Sequence, residues 1–354
     1  MTPRLMRILR WVGYPLFYVF ALLLFTYLTF PYDRLKDRLV GEVNAKPLTP
    51  GMQVKIDTVD SYWLSGVEAE GVQLISPPAS GATTADGKPA KSKTVTLEQM
   101  HARVSLLRLL VGTLHVSFGA DALGGEISGY TSDADDSRAV VAELDSVRVG
   151  DLPVLADIVG LPLAGALTGE IDLKLPEGKF SKAEGKIALK FTDLAIGDGK
   201  AKIMNTIALP TLNVGELVLE GEATDGRLDI SKFSAGGRDL ELVSDGRIRL
   251  RDPFTASLAE MNLRFKFGAS YRNRNDTTRA LFGAPGSTVP AVFDLDPKVR
   301  RAKRPDEFYA WRLNGPLTRI SFEPASVGGG SGGASNPLGG MPSGFANDDE
   351  SGGD

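Results

Sequence analysis

The chain of 354 residues contains no cysteine and only two histidines, His101 and His115. Without cysteine there is no disulfide, no thiolate metal site, no iron–sulfur cluster and no cysteine nucleophile. His101 and His115 fall in segments that alternate like strands, with no HExxH motif and no second imidazole at ligand spacing. Structural or exposed roles are expected for both. The GxSxG nucleophile elbow and the Walker A loop are also missing. Gly197-Asp198-Gly199-Lys200 matches a phosphate loop in composition only, because no Gly-Lys-Ser/Thr closes it. Asp133, Asp135 and Asp136 share a turn, but the central glycine and distal bidentate glutamate of a calcium loop are absent. Glu68 and Glu70 lie on one strand face, as alternation on a wet face produces. We therefore expect no catalytic residue, no cofactor and no metal, and a protein that is not an enzyme.

Charge is missing too, and in one place entirely. Trp11 to Phe30 is a run of 20 uncharged residues, and no acidic residue precedes Asp33. At the rise of an α-helix such a run covers about 30 Å, the hydrocarbon thickness of a bilayer. Arg4, Arg7 and Arg10 stand before it. Basic residues beside a span stay on the cytoplasmic side, so residues 31–354 are expected outside the cytoplasm. Trp11 and Tyr14 suit one membrane interface, and Tyr27 and Tyr32 the other. A cleaved signal peptide is the alternative. Its apolar core is shorter, and Thr29-Phe30-Pro31-Tyr32-Asp33 is a poor cleavage site.

The whole chain carries 40 basic and 44 acidic residues, a net charge of −4. Setting aside the three N-terminal arginines leaves an acidic body, a poor general binder of nucleic acid. Residues 264–304 run against this balance, with ten Lys/Arg and three Asp. Arg300, Arg301, Lys303 and Arg304, with Arg272 and Arg274, form the conspicuous cluster. It reads either as a solvated loop or as a docking patch for acidic protein segments or anionic headgroups.

Beyond the apolar run the periodicity changes. Pro31–Val43 places Leu35, Leu39 and Val43 on one helical face, to pack on the next domain or to lie against lipid. From Gln53 the period is two. Ile171, Leu173 and Leu175 alternate with Asp172 and Lys174. Ile187, Leu189 and Phe191 do the same, as do Leu217 and Leu219, Leu228 and Ile230, Ile248 and Leu250, and Leu263, Phe265 and Phe267. Such alternation predicts half-buried antiparallel strands. Gly169, Gly185, Gly221, Gly226 and Gly246 are expected at the turns between them. Short helices are predicted at Ser105–Leu110, Asp151–Gly160 and Asp276–Phe282. The expected layout is a cytoplasmic tail (1–10), a transmembrane helix (11–30), a β-rich domain (31–326) and a disordered Gly-rich tail (327–354), with an exposed loop over Ser76–Lys93.

Two blocks carry a family resemblance. Tyr14-Pro15-Leu16-Phe17-Tyr18 through Phe30-Pro31-Tyr32-Asp33-Arg34-Leu35-Lys36, followed by Gly-rich strands, resembles the type II secretion system protein N (GspN) family. Ser105–Val116 and Leu161–Gly169 are similar to AsmA/TamB-type periplasmic proteins, in which a strand leads into a leucine-rich turn. These resemblances imply a mainly β fold, with an N-terminal transmembrane helix before a long curved antiparallel sheet and a few short helices. They imply a single-pass inner-membrane protein with a periplasmic body. Its function would be that of a non-catalytic scaffold or coupling subunit of the secretion machinery, with membrane lipid and other machinery subunits as partners. The alternative they imply is a protein that binds or conducts phospholipid along a hydrophobic β groove. Whether the alternating face lines an open groove or a closed core stays open at the level of sequence.

Overall fold

The computed structural model describes residues 3–45, 53–63, 65–76, 93–134, 136–152, 161–198, 202–203, 207–208, 210–283, 291–317 and 319–325. The loop expected over Ser76–Lys93, apart from its end residues Ser76 and Lys93, which lie in strands, most of the helix expected over Asp151–Gly160, and the 327–354 tail lie outside these residues.

Two helices come first, α1 (Pro3–Leu28) and α2 (Tyr32–Ala45). Among the described residues no helix is long and apolar enough to cross a membrane. Side chains 23, 26 and 27, within the uncharged run of α1, are outside the description. The described ones are strongly exposed: Trp11 80%, Leu16 67%, Phe17 63%, Leu22 67% and Phe25 65%.

The rest of the chain is built on one sheet. Its strands are β1 (Gln53–Lys55), β2 (Thr58–Tyr62), β3 (Gly66–Ser76), β4 (Lys93–Val104), β5 (Leu114–Ala122), β6 (Gly125–Ala134), β7 (Ser137–Arg148), β8 (Leu163–Pro176) and β9 (Glu184–Ile196). After the two-residue strands β10 (Lys202–Ile203) and β11 (Ile207–Ala208), which pair with each other, come β12 (Leu212–Thr224), β13 (Arg227–Gly236), β14 (Leu240–Arg249), β15 (Leu258–Phe267), β16 (Tyr309–Pro316) and β17 (Ser321–Pro324). Fifteen strands form one antiparallel sheet in chain order, with β1 and β2 both paired to β3. Tight hairpins impose part of this order, as at β5–β6, β6–β7 and β12–β13, where a short turn lays one strand beside the last. Leu123-Gly124 and Asp225-Gly226 each place two residues at positive φ, the backbone that two-residue hairpin turns need.

Of the glycines expected at turns, only Gly226 occupies one. Gly169, Gly185, Gly221 and Gly246 lie inside β8, β9, β12 and β14. A Cβ on Gly169 would meet the Ala188 carbonyl oxygen at 2.3 Å, and one on Gly185 would meet that of Asp172 at 2.0 Å. The neighbouring backbone fills the place of a side chain, so these glycines permit close strand approach.

Directly paired residues share a face. Leu189 pairs with Leu219, which pairs with Phe233; Phe265 pairs with Leu242 on one side and Tyr309 on the other. All of the alternating apolar sets therefore line one side of the sheet. The opposite side is charged, with ion pairs between adjacent strands: Lys190–Glu216 at 2.8 Å, Arg247–Glu260 at 2.9 Å and Lys266–Glu241 at 2.7 Å. Exposed pairs of this kind add about 0–1 kcal/mol each, so what they supply is mainly a wet face and a fixed register.

The apolar side holds two large core clusters and a small third one of Val54 and Val72 near its first edge. The larger of the two joins Val95, Val147, Val149, Leu167, Val214 and Leu240 to Tyr271 and Phe282; the other contains Leu173, Leu175, Ala223, Leu228, Ile230 and Leu250. Phe233 packs against both. Much of this face is only half-buried, including Ile187, Leu189, Leu219, Leu263 and Phe265. The helical segments Ala269–Arg272, Asp276–Phe282 and Pro297–Ala302 follow β15. Their aromatic residues cover one end of the face: Phe267 lies 4.2 Å from Phe282 and 6.0 Å from Tyr271, ring centre to ring centre.

Candidate functional site

The basic segment lies on these covering helices. The Asp276–Phe282 helix has the expected bounds, capped by Asn275, whose side chain accepts from Thr278 N at 2.8 Å. The Pro297–Ala302 helix is capped by Asp296, which accepts from Lys298 N at 2.7 Å.

The six arginines and lysines of the cluster part into two groups. Four turn inward. Arg272 donates to Glu307 at 3.0 Å and to the Gly283 carbonyl at 3.2 Å. Arg274 donates to Asp239 and to the Thr211 carbonyl, both at 2.6 Å, and its guanidinium lies 4.9 Å from the Tyr271 ring centre. Lys303 pairs with Asp294, and Arg304 donates to the Ala325 carbonyl. These contacts close the C-terminal part of the fold. Arg300 and Arg301 are exposed on the last helix, where Arg301 reaches back to the Pro297 carbonyl at 3.2 Å. A headgroup or acidic partner would therefore meet chiefly Arg300 and Arg301.

Asp239 was not singled out by sequence reasoning. It sits between β13 and β14, fully buried, and its Oδ2 accepts from Asn213 N at 2.9 Å as well as from Arg274. Its Oδ1 has no hydrogen-bond partner among the described residues. Tyr271 completes the clamp by donating to the Pro210 carbonyl at 2.7 Å. Thus Tyr271 and Arg274 hold the entry to β12 at Pro210 and Thr211, and Asp239, bound to Arg274, holds it at Asn213.

Burial pushes the Tyr271 phenol up to about 12, although the Arg274 charge opposes the shift. Burial also raises Tyr309, reinforced by its hydrogen bond to Asp294. A phenol that titrates higher in the folded protein contributes stability that is intact below pH 10. That stability is lost as pH rises toward 12, because the unfolded chain gives up the proton first. The Tyr271 share is on the order of 2–3 kcal/mol. Urea titrations at pH 9 and pH 11.5 are expected to show this loss, with a shallower slope in Tyr271→Phe. Equal slopes would remove the argument.

The two histidines do not meet. His101 stacks on Tyr62 with centroids 4.4 Å apart, while the His115 ring lies 4.9 Å from that of Tyr130. Helix α3 (Leu106–Leu110) places Arg108 Nη1 2.6 Å from His115 Nδ1, so this nitrogen acts as the acceptor. Partial burial, then the Arg108 charge, lowers the His115 pKa. Of the aspartates at 133–136, Asp133 pairs with Arg138 at 2.7 Å.

At the N-terminus, Arg4, Arg7, Arg10 and Trp11 all lie in α1, and Tyr32 opens α2 with its ring 4.9 Å from that of Phe30. Helix α2 follows the edge of the sheet. The Asn44 side chain accepts from Val54 N at 2.7 Å and donates to the Val54 carbonyl at 3.0 Å, while Lys36 reaches the Asp57 carbonyl at 3.3 Å. Leu39 and Val43 remain 36% and 38% exposed, so the leucine face of α2 is only partly covered.

No protein-family model, no characterised protein and no solved structure matches this chain.

Proposed function

We propose that the chain is a non-catalytic subunit of a type II secretion machinery, held in the inner membrane by α1 with its sheet in the periplasm. The observation that carries this reading is one unbroken sheet whose first edge is held by α2, the helix that follows the apolar α1, and which ends on β17. The far edge of β17 pairs with no strand among the described residues. An unpaired edge is a template for a strand from another subunit. Phe322 stands 52% exposed there, beside Leu313 on the same face. The likeness of Tyr14–Lys36 to the GspN family and the exposed apolar surface of α1 support the membrane part of the proposal. Anchoring confines the body to a thin layer and raises its effective concentration for neighbouring subunits.

Photo-crosslinking in cells from Ser321, Phe322, Arg300 and Arg301 is the test. Adducts with secretion subunits, in membranes whose outer compartment gives protease access to the sheet, are the expected result. Protease access from the cytosol alone, or a set of adducts containing no secretion subunit, would refute it.

The half-buried apolar face favours a second reading, an AsmA-like protein that shields acyl chains along the sheet. Each buried methylene contributes about 0.8 kcal/mol to such binding. Phospholipid that co-purifies at a fixed stoichiometry, without secretion-subunit adducts, selects this reading over the first.

A further inference from the structure

The most exposed apolar side chains beyond α1 gather at one place. Leu107 is 80% exposed, Leu110 83% and Val111 79%, with Leu106 at 51% beside them. They belong to α3 and the turn that follows it, between β4 and β5. This turn is closed by backbone hydrogen bonds. Leu109 N donates to the Ser105 carbonyl and Thr113 N to the Arg108 carbonyl, each at 3.0 Å. Ser105 N closes its base on the His115 carbonyl at 2.9 Å. Its leucines are thus displayed outward on a built support, where soluble proteins rarely leave a contiguous apolar patch.

Trp63 adds to the patch. It is 66% exposed in the turn between β2 and β3, with the Arg103 guanidinium 5.6 Å from its ring centre. That turn abuts the start of α3: Ser65 Oγ donates to the Val104 carbonyl at 2.7 Å, and Val104 N donates to the Ser65 carbonyl at 3.2 Å.

The place of this patch in the fold identifies what covers it. Asn44, late in α2, holds Val54, whereas Lys36, early in α2, reaches Asp57. The β1–β2 edge therefore runs antiparallel to α2. From Asp57 the edge continues for six residues to Trp63, about 20 Å at the rise of a strand. It goes toward the N-terminal end of α2, where α1 joins. The Trp63 turn and α3 accordingly lie at the same end of the sheet as the apolar helix. Leucine, valine and tryptophan suit the acyl–headgroup boundary, and the exposed Arg103 and Arg108 suit anionic headgroups beside it. The nearby carboxylate of Asp133 is already paired with Arg138.

We infer that the Leu106–Val111 turn, together with Trp63, is a second membrane contact. It dips into the bilayer that holds α1 and fixes the tilt of the sheet above it. The inference rests on the membrane reading of α1, and the experiment separates the two.

The chain has no cysteine, so single cysteines report single places. Leu107→Cys, Val111→Cys, Phe20→Cys and Glu222→Cys are each made in the full chain and labelled with an environment-sensitive nitrobenzoxadiazole dye. They are then reconstituted in phosphatidylethanolamine–phosphatidylglycerol vesicles with or without lipid carrying a doxyl quencher. Leu107 and Val111 are expected to lose most of their emission to a shallow doxyl label, Phe20 to a deep one, and Glu222 to neither. Quenching at Phe20 with none at Leu107 and Val111 would overturn the contact and leave the anchor standing. A blue shift at Leu107 without quenching would show protein cover and overturn it as well. Loss of quenching at all sites would remove the anchor too. Unchanged far-UV circular dichroism confirms that each labelled chain is folded.

Discussion

Arg274→Ala is expected to lower the unfolding free energy by about 3–5 kcal/mol, the cost of leaving a buried charge without its partner. Asp239 has 0% exposure, and Arg274 supplies its only ion pair among the described residues. Without the guanidinium the carboxylate keeps, among the described residues, the Asn213 N–H alone. Its second oxygen already lacks a partner. Asp239→Ala is expected to cost less, about 1–3 kcal/mol, because the Arg274 side chain is 32% exposed and remains hydrated when left alone. The double variant should cost less than the sum of the two, since neither charge is then stranded. Urea unfolding of the three variants measures all of this. A larger loss for Asp239→Ala than for Arg274→Ala would contradict the argument from burial. The same asymmetry bears on function: reduced partner binding in an Arg274 variant reports a disturbed fold, whereas a change at Arg300 or Arg301 tests recognition.

The sheet was legible where its two faces differ in chemistry. Ile171/Leu173/Leu175 alternate with Asp172 and Lys174, Ile187/Leu189/Phe191 with Ala188 and Lys190, and the structure lays the two strands side by side with Ile171 opposite Ile187. In β7 the signal fades, because Ala139, Val140, Val141 and Ala142 are apolar on both faces. Strand β1 was legible in the alternation that starts at Gln53, whereas the five residues of β2 (Thr58–Tyr62) gave no period to register. The interior glycines misled for a simple reason: glycine serves equally at a turn and where a neighbouring strand comes too close for a side chain. How much of the basic cluster's charge is free was not legible for another reason: the acidic partners of Arg272 and Arg274 are remote in sequence, 35 residues on for Glu307 and 35 back for Asp239, so composition over 264–304 overstates the free charge. The helix at Asp276–Phe282 was legible because its cap and terminating glycine are local.

Phe233→Ala is expected to cost about 3 kcal/mol, at the lower end of the range for deleting an aromatic side chain because its site is half-buried. Phe322→Ala, on the exposed edge strand, should stay within roughly 1 kcal/mol. The contrast follows from position: Phe233 packs on both large core clusters, so its loss opens a gap between the two halves of the apolar face. The unfolding transition should broaden as the halves uncouple, which a lower slope against urea would register. The variant also separates the two functional readings. If acyl chains lie along this face, phospholipid refills part of the gap and binds the folded state alone, so the cost falls when lipid is present. If the face is sealed by its own side chains, the cost is the same with and without lipid. Leu263, Trp311 and Leu313 continue the face toward β17, half-buried, and are where a lipid or a partner's strand would make its remaining contacts. A cost that is indifferent to phospholipid, together with unchanged behaviour in Leu263→Ala and Leu313→Ala, would leave the edge of β17 as the surface on which any scaffold role depends.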